Sequence, residues 1–144
     1  MRSTPDRIRH AVSFEIIAIA MVMFLGSHVF GMPPVSMGAV GIASSLVATI
    51  WTYLYNLGFD HALLRLNGSP EKSWTMRVVH TILFEITLSL LLLPLIAIML
   101  GISFIDALVM DLAMTAFFLV YTFVFNLVYD RIFPIPVRSG EQSG

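Results

Sequence analysis

A chain of 144 residues that is 58% hydrophobic and 12% charged does not have the composition of a soluble domain, in which about 25% of residues are charged. The formal net charge of −1 gives no electrostatic case for binding nucleic acid, and the absence of cysteine excludes disulfides, thiol catalysis and thiolate metal sites. What the composition favours is a membrane protein.

Four apolar runs are long enough to cross a bilayer, which takes roughly 20 residues per helix. The first, about 11–30, follows Arg2, Arg7 and Arg9 in the manner of a signal peptide. It is too long for an h-region of about 7–15 residues. It also ends in Gly31-Met32-Pro33-Pro34 without a small-x-small cleavage site, so it is read as an uncleaved first helix. The second run covers about 36–58, the third 78–100 and the fourth 104–128. The expected fold is an all-α membrane protein of four transmembrane helices.

The chain repeats. Arg7, His10, Phe14 and Glu15 recur as Arg77, His80, Phe84 and Glu85, and Trp51-Thr52-Tyr53-Leu54-Tyr55-Asn56-Leu57-Gly58-Phe59-Asp60 aligns with Tyr121-Thr122-Phe123-Val124-Phe125-Asn126-Leu127-Val128-Tyr129-Asp130. Both blocks have the same offset, so a whole helix pair is duplicated. The expected units are a first pair at 7–60, a polar linker at 61–76 containing Asn67-Gly68-Ser69-Pro70, and a second pair at 77–130. Short turns, Gly31 to Val35 and Gly101 to Ser103, force antiparallel hairpins. An even number of crossings returns each unit to its starting side, which makes the hairpins parallel repeats about an axis along the membrane normal.

Charge sets the expected orientation. The basic residues Arg2, Arg7, Arg9, Arg65, Lys72, Arg77, Arg131 and Arg138 all fall on the side of the termini and linker. The positive-inside rule places that side, with both termini, in the cytoplasm, in a single topology.

Polar residues inside apolar helices are the candidate site. Glu15 follows Arg7 by eight residues, about 12 Å at 1.5 Å per residue, which puts it inside the hydrocarbon; Glu85 repeats that depth. An apolar medium favours the neutral acid, and a carboxyl that trades its proton for a cation is the chemistry of a proton-coupled antiporter. The alternative is that Glu15 only pairs with another helix. Arg7, His10 and Phe14 share one helix face with Glu15 on its flank, so His10 and His80 are read either as proton relays or pKa modulators of the glutamates or as interfacial anchors. Asn56 and Asp60, like Asn126 and Asp130, are four residues apart on one face. Structural locking is favoured for them, with the aspartates pairing to Arg7, Arg77 or Arg131, and a cytoplasmic gate is the alternative. Trp51 and Tyr121 lie deeper than the aromatic belt formed by Phe59 and Tyr129, and either line a cation cavity or simply pack. Asp106 and Asp111 break the repeat, since Ser36 and Gly41 occupy the equivalent positions. Asp111 is a candidate for an outer, cation-attracting vestibule. Pro94 can kink the third helix and Gly38 and Gly41 allow close packing. No metal ligand spacing and no nucleophile–base arrangement is visible, so neither a metal, a cofactor nor an enzyme is expected; the energy source is a proton gradient.

With these motifs in view, the sequence resembles the proteobacterial antimicrobial compound efflux family, built of two bacterial transmembrane pair domains. The resemblance covers about residues 7 to 133 through four signatures: Arg7-x-x-His10-x-x-x-Phe14-Glu15, Trp51 to Asp60, Arg77-x-x-His80-x-x-x-Phe84-Glu85, and Tyr121 to Asp130. One departure is Thr52, where the family usually has Asn, so no polar contact is assigned there. The resemblance implies proton-coupled export of hydrophobic cationic biocides such as chlorhexidine, and of dyes such as acriflavine, with short-chain diamines as natural substrates. It implies that Glu15 is the acid linked to protonation and substrate binding, and that the working unit is a homodimer. Two competing readings are a small multidrug resistance type pump, disfavoured by the linked duplication and one-sided charge, and a non-transporting membrane assembly subunit.

Overall fold

The computed structural model describes residues 3–69 and 71–134; Arg2, Pro70 and Arg138, named above, lie outside them. The elements in chain order are α1 (Thr4–Phe30), α2 (Pro34–Asn67), α3 (Trp74–Leu100) and α4 (Phe104–Ile132). All four are long and apolar enough to cross a membrane.

Helix boundaries follow from local chemistry. Ser3, Ser73 and Ser103 cap α1, α3 and α4, each hydroxyl accepting from the backbone N–H three residues on, at Asp6, Met76 and Asp106. α2 starts instead on Pro33-Pro34, where fixed φ angles suit a helix start that needs no donor. Gly31, Gly68 and Gly101 stop α1, α2 and α3 at φ of 64°, 69° and 63°, a left-handed conformation that costs a glycine little. α3 continues through Pro94 without a break.

The stretch read as a linker at 61–76 is mostly helix, because α2 continues to Asn67 and α3 begins at Trp74. At 34 residues, α2 is about 50 Å long against a hydrocarbon thickness of about 30 Å. Its last turns, with His61 and Arg65, therefore extend beyond the apolar layer, where polar residues cost nothing.

Each helix packs antiparallel on its neighbours in chain order, α1 and α4 touch along a looser seam, and the diagonal pairs do not meet. The core sits toward the turn end and joins Val22, Met37, Val40, Leu92, Ile96, Ala97, Ala107 and Met110 from all four helices. Glycines let the first hairpin close there. A Cβ on Gly38 would lie 2.9 Å from Met23 Cγ, and one on Gly26 would lie 2.5 Å from Met37 Cε, so each methionine fills the notch of the facing helix. Ile16, Phe24, Leu46, Leu90, Leu119 and Phe123 are among many large apolar side chains that face outward. On a soluble bundle such a surface would aggregate, whereas in a bilayer it meets its proper solvent.

Candidate functional site

The buried residues of α1 are Ala18, Val22 and Gly26, at helical spacing on one stripe, and Glu15 continues that stripe toward the basic end. In α3, Glu85 continues the stripe of Leu92 and Ile96 in the same way. Both glutamates are nevertheless exposed. Each carboxyl thus stands just past the point where core packing stops, on the packing side of its helix but uncovered by its own chain. Glu15 accepts a hydrogen bond from Ser45 Oγ of α2 at 3.2 Å, and no ion pair among the described residues includes it.

The histidines look the other way. His10 is five residues before Glu15, about 140° around the helix, and faces α4. Its Nε2–H donates to Asn126 Oδ1 at 2.8 Å. The ring sits edge-on to Phe125 and Tyr129, at centroid distances of 5.2 and 4.6 Å. His80 does the same to α2: Nε2–H donates to Asn56 Oδ1 at 3.0 Å, between Tyr55 at 5.0 Å and Phe59 at 4.6 Å. The histidine of each repeat is therefore held by the asparagine and two aromatics of the other. The pseudo-twofold axis implied by the parallel repeat is visible in these two latches.

Other bonds seal the same two seams. Tyr121 OH donates to the carbonyl of Phe14 at 2.8 Å, and its ring lies 4.9 Å from that of Phe14. Trp51, its counterpart, donates from Nε1 to Thr87 Oγ1 at 3.1 Å, and Tyr55 OH donates to the carbonyl of His80 at 3.0 Å. Tyr121 is buried and Trp51 half-buried, so both close seams between helices and neither projects freely into an open cavity. At the basic end of the α1–α4 seam Tyr129 OH donates to Asp6 Oδ1 at 2.9 Å and accepts from Arg9 Nε at 3.0 Å, while the Arg9 guanidinium stands 3.7 Å from the Phe133 ring centre.

Several sequence expectations meet different partners. Asp60 lies 2.8 Å from Lys72 Nζ of the α2–α3 connection and pairs with none of the arginines proposed for it; a connection of six residues brings Lys72 back over the end of α2. Arg7 and Arg77 are exposed and make no ion pair among the described residues. Asp130 has partners of its own. Thr52 turns back to the carbonyl of Ala48 at 2.7 Å and makes no cross-helix bond. Asp111 does not line an outer vestibule: it is 3% exposed, enclosed between α3 and α4, where Ser89 Oγ donates to its Oδ2 at 2.7 Å. No group of three or more His, Asp or Glu side chains among the described residues is placed to hold a metal ion.

The sequence reading missed Ser45, Thr87, Ser89 and Lys72. A signal existed for two of them. Both hairpins share one register, two residues off the midpoint of the turn: Glu15 and Ser45 are each 15 residues from Phe30, the last residue of α1, and Ser89 and Asp111 each 11 from Leu100, the last of α3. Toward the turn end, where α1 and α4 part, an apolar groove with about 210 Å³ of open space is lined by Met21, Val22, Leu25, Met37, Met114 and Phe117, among others.

Four membrane-crossing helices in two repeats, with the two glutamates beside the packed core and Asp111 enclosed within it, define a small multi-pass membrane protein whose class is that of transporters. Residues 2–65 and 72–135 each match the profile of the BTP family, described as chlorhexidine efflux transporter. The chain belongs to this family, the proteobacterial antimicrobial compound efflux family. It is 37% identical over 131 residues to a short-chain diamines transporter of Vibrio parahaemolyticus, covering 90% of this chain and 91% of that one. It is similar to proteins with the same description from Acinetobacter baumannii, 33% identical over 126 residues with 88% and 86% covered, and from Acinetobacter baylyi, 31% identical over 126 residues with 88% of each covered. No solved structure matches the chain.

Proposed function

We propose that this transporter is a proton-coupled antiporter of the bacterial inner membrane, with both termini cytoplasmic. It exports hydrophobic cationic biocides and dyes, and short-chain diamines. Glu15 is the acid at which proton and cation compete, and Glu85 is its counterpart in the second repeat. The observation that carries this reading is a carboxyl at membrane depth held by one neutral hydroxyl, that of Ser45, and exposed beyond the end of the packed stripe. A structural acid in hydrocarbon is covered and paired; this one is available to an exchanging ligand. The family's description as chlorhexidine efflux transporter and that of the three relatives as short-chain diamines transporters support the two substrate classes. The apolar groove beyond Val22 suits the lipophilic part of a biocide, with methionines that adapt to varied shapes. A homodimer fits the same observation, since a second copy would shield Glu15 from lipid.

The test is transport by purified protein in proteoliposomes with an imposed pH gradient. Glu15→Gln should abolish gradient-driven cation movement while the protein stays folded, and Glu85→Gln should weaken it less. Retained gradient-driven transport in Glu15→Gln refutes the assignment.

A further inference from the structure

The second hairpin encloses a carboxyl that the exchange at Glu15 leaves without a task. Asp111 is 3% exposed and receives a hydrogen bond from Ser89 at 2.7 Å. Enclosing a carboxyl in apolar packing with one hydroxyl as partner is costly, and the duplication shows that the fold does not require it. The equivalent positions in the first hairpin are Ile19 and Gly41. There the helices close on hydrocarbon, and even a Cβ on Gly41 would lie 3.4 Å from Val22 Cγ1. One repeat is sealed at this level and the other carries an acid and a hydroxyl.

A second observation points to the same place. Ser44 is 8% exposed and its hydroxyl has no hydrogen-bond partner. It continues the buried stripe of Met37 and Val40 on α2, so it faces the bundle interior. Counted from the helix ends at the turns at 1.5 Å per residue, Asp111 lies about 10 Å in from Phe104, Ser44 about 15 Å from Pro34 and the two glutamates about 22 Å from Phe30 and Leu100. The orphan hydroxyl therefore stands between the level of Asp111 and that of the glutamates. Ser89 is one turn from Glu85 on α3, which places those two side chains one above the other. Around Asp111 the ionisable groups are Glu85 on α3 and Asp106 on α4, with His28 at the turn end of α1. α1 and α2 present Val22, Val40 and Ser44 at this depth, and the Arg and Lys residues lie at the opposite end.

We propose that Asp111, with Ser89 and Ser44, forms an internal proton-binding site that supplies the glutamates from the turn end of the bundle. This rests on the proton coupling proposed above. Asp111 takes a proton from water on the turn side and becomes a neutral acid. A serine hydroxyl then accepts that proton and donates its own to a glutamate carboxylate. Asp111 ends as a carboxylate, the glutamate as an acid, and the hydroxyl is unchanged.

The experiment uses the full chain in proteoliposomes with ethidium as probe, and compares ethidium movement driven by a pH gradient with movement down its own gradient at equal pH. Asp111→Asn keeps an acceptor for Ser89 but cannot release a proton. It should lower gradient-driven transport by at least about tenfold, and leave ethidium affinity and downhill movement within about twofold. Asp111→Glu should restore driven transport with a displaced pH profile, and Ser44→Ala should slow it without changing affinity. Unaltered driven transport in Asp111→Asn overturns the proposal, as does a parallel loss of ethidium binding. Should Asp111→Asn fail to fold, unaltered pH profiles in both Asp111→Glu and Ser44→Ala overturn it equally. A wild-type protein without gradient-driven transport refutes the coupling itself, a result distinct from loss in the variant alone.

Discussion

If each histidine is held by the asparagine of the other repeat, the two form crossed pairs that a double-mutant cycle can separate. His10 should couple to Asn126 and His80 to Asn56, at the 2.8 and 3.0 Å contacts. His10 with Asn56, and His80 with Asn126, should not couple. A hydrogen bond between membrane helices averages about 0.6 kcal/mol and reaches about 1.7. These bonds are short and flanked by aromatic rings that hold the imidazole in place, so about 1 kcal/mol is expected for each crossed pair. Uncoupled residues normally add to within about 0.3–0.5 kcal/mol. The assay is reversible unfolding in mixed micelles of the four single variants to Ala and the four doubles. Coupling of His10 to Asn56 at the level of the crossed pair, or none between His10 and Asn126, would refute the swapped arrangement.

The remaining expectations concern the seams and the hairpin core. Tyr121→Phe removes the donor to the Phe14 carbonyl and should cost about 0.5–1.5 kcal/mol of stability by thermal unfolding, with substrate affinity kept if the hydroxyl only seals the seam. Gly38→Val places its side chain against Met23 and should destabilise the first hairpin by about 1–3 kcal/mol, whereas Gly58→Ala, with nothing within 4 Å of the added Cβ, should be tolerated in the same measurement. Lys72→Gln breaks a partly exposed pair with Asp60 and should change stability by less than about 1 kcal/mol, an effect that disappears at high salt.

Fold class was legible in the sequence because the physics is one-dimensional. Run length against bilayer thickness gives the four helices, and the glycine and proline punctuation at residues 31–34 and 101 gives the turns. The duplication was legible because Arg, His, Glu, Asn and Asp do not align by chance inside hydrocarbon. Partners were harder. Asparagine was rightly expected to bond across helices, but periodicity on a single helix cannot say which helix it meets; that needs the order of the bundle, in which α1 borders α4 and α2 borders α3. Sequence alone leaves His10 either as a modulator of Glu15 or as an anchor to a neighbouring helix; its ring bonds Asn126 of α4, and five residues turn it about 140° from Glu15. Asp111 looked like a vestibule group because it lies near a turn, whereas its side of α4 faces Ser89.

The division of labour between the two ends of the bundle bears on how such a small protein could change shape. Packing between apolar side chains dominates toward the turns, where glycine notches lock Met23 and Met37. Every cross-repeat hydrogen bond among the described residues lies toward the basic end. Close packing cannot be undone gradually, but a row of polar bonds can be exchanged for water at little net cost. The basic end is therefore the cheaper one to open. Of its two seams, α2–α3 is tied by a short connection and by the Asp60–Lys72 pair, while α1–α4 has no connection and touches least along its length. Motion that separates α1 from α4 at the Phe14–Tyr121 contact would open a path beside Glu15 and leave both hairpins intact.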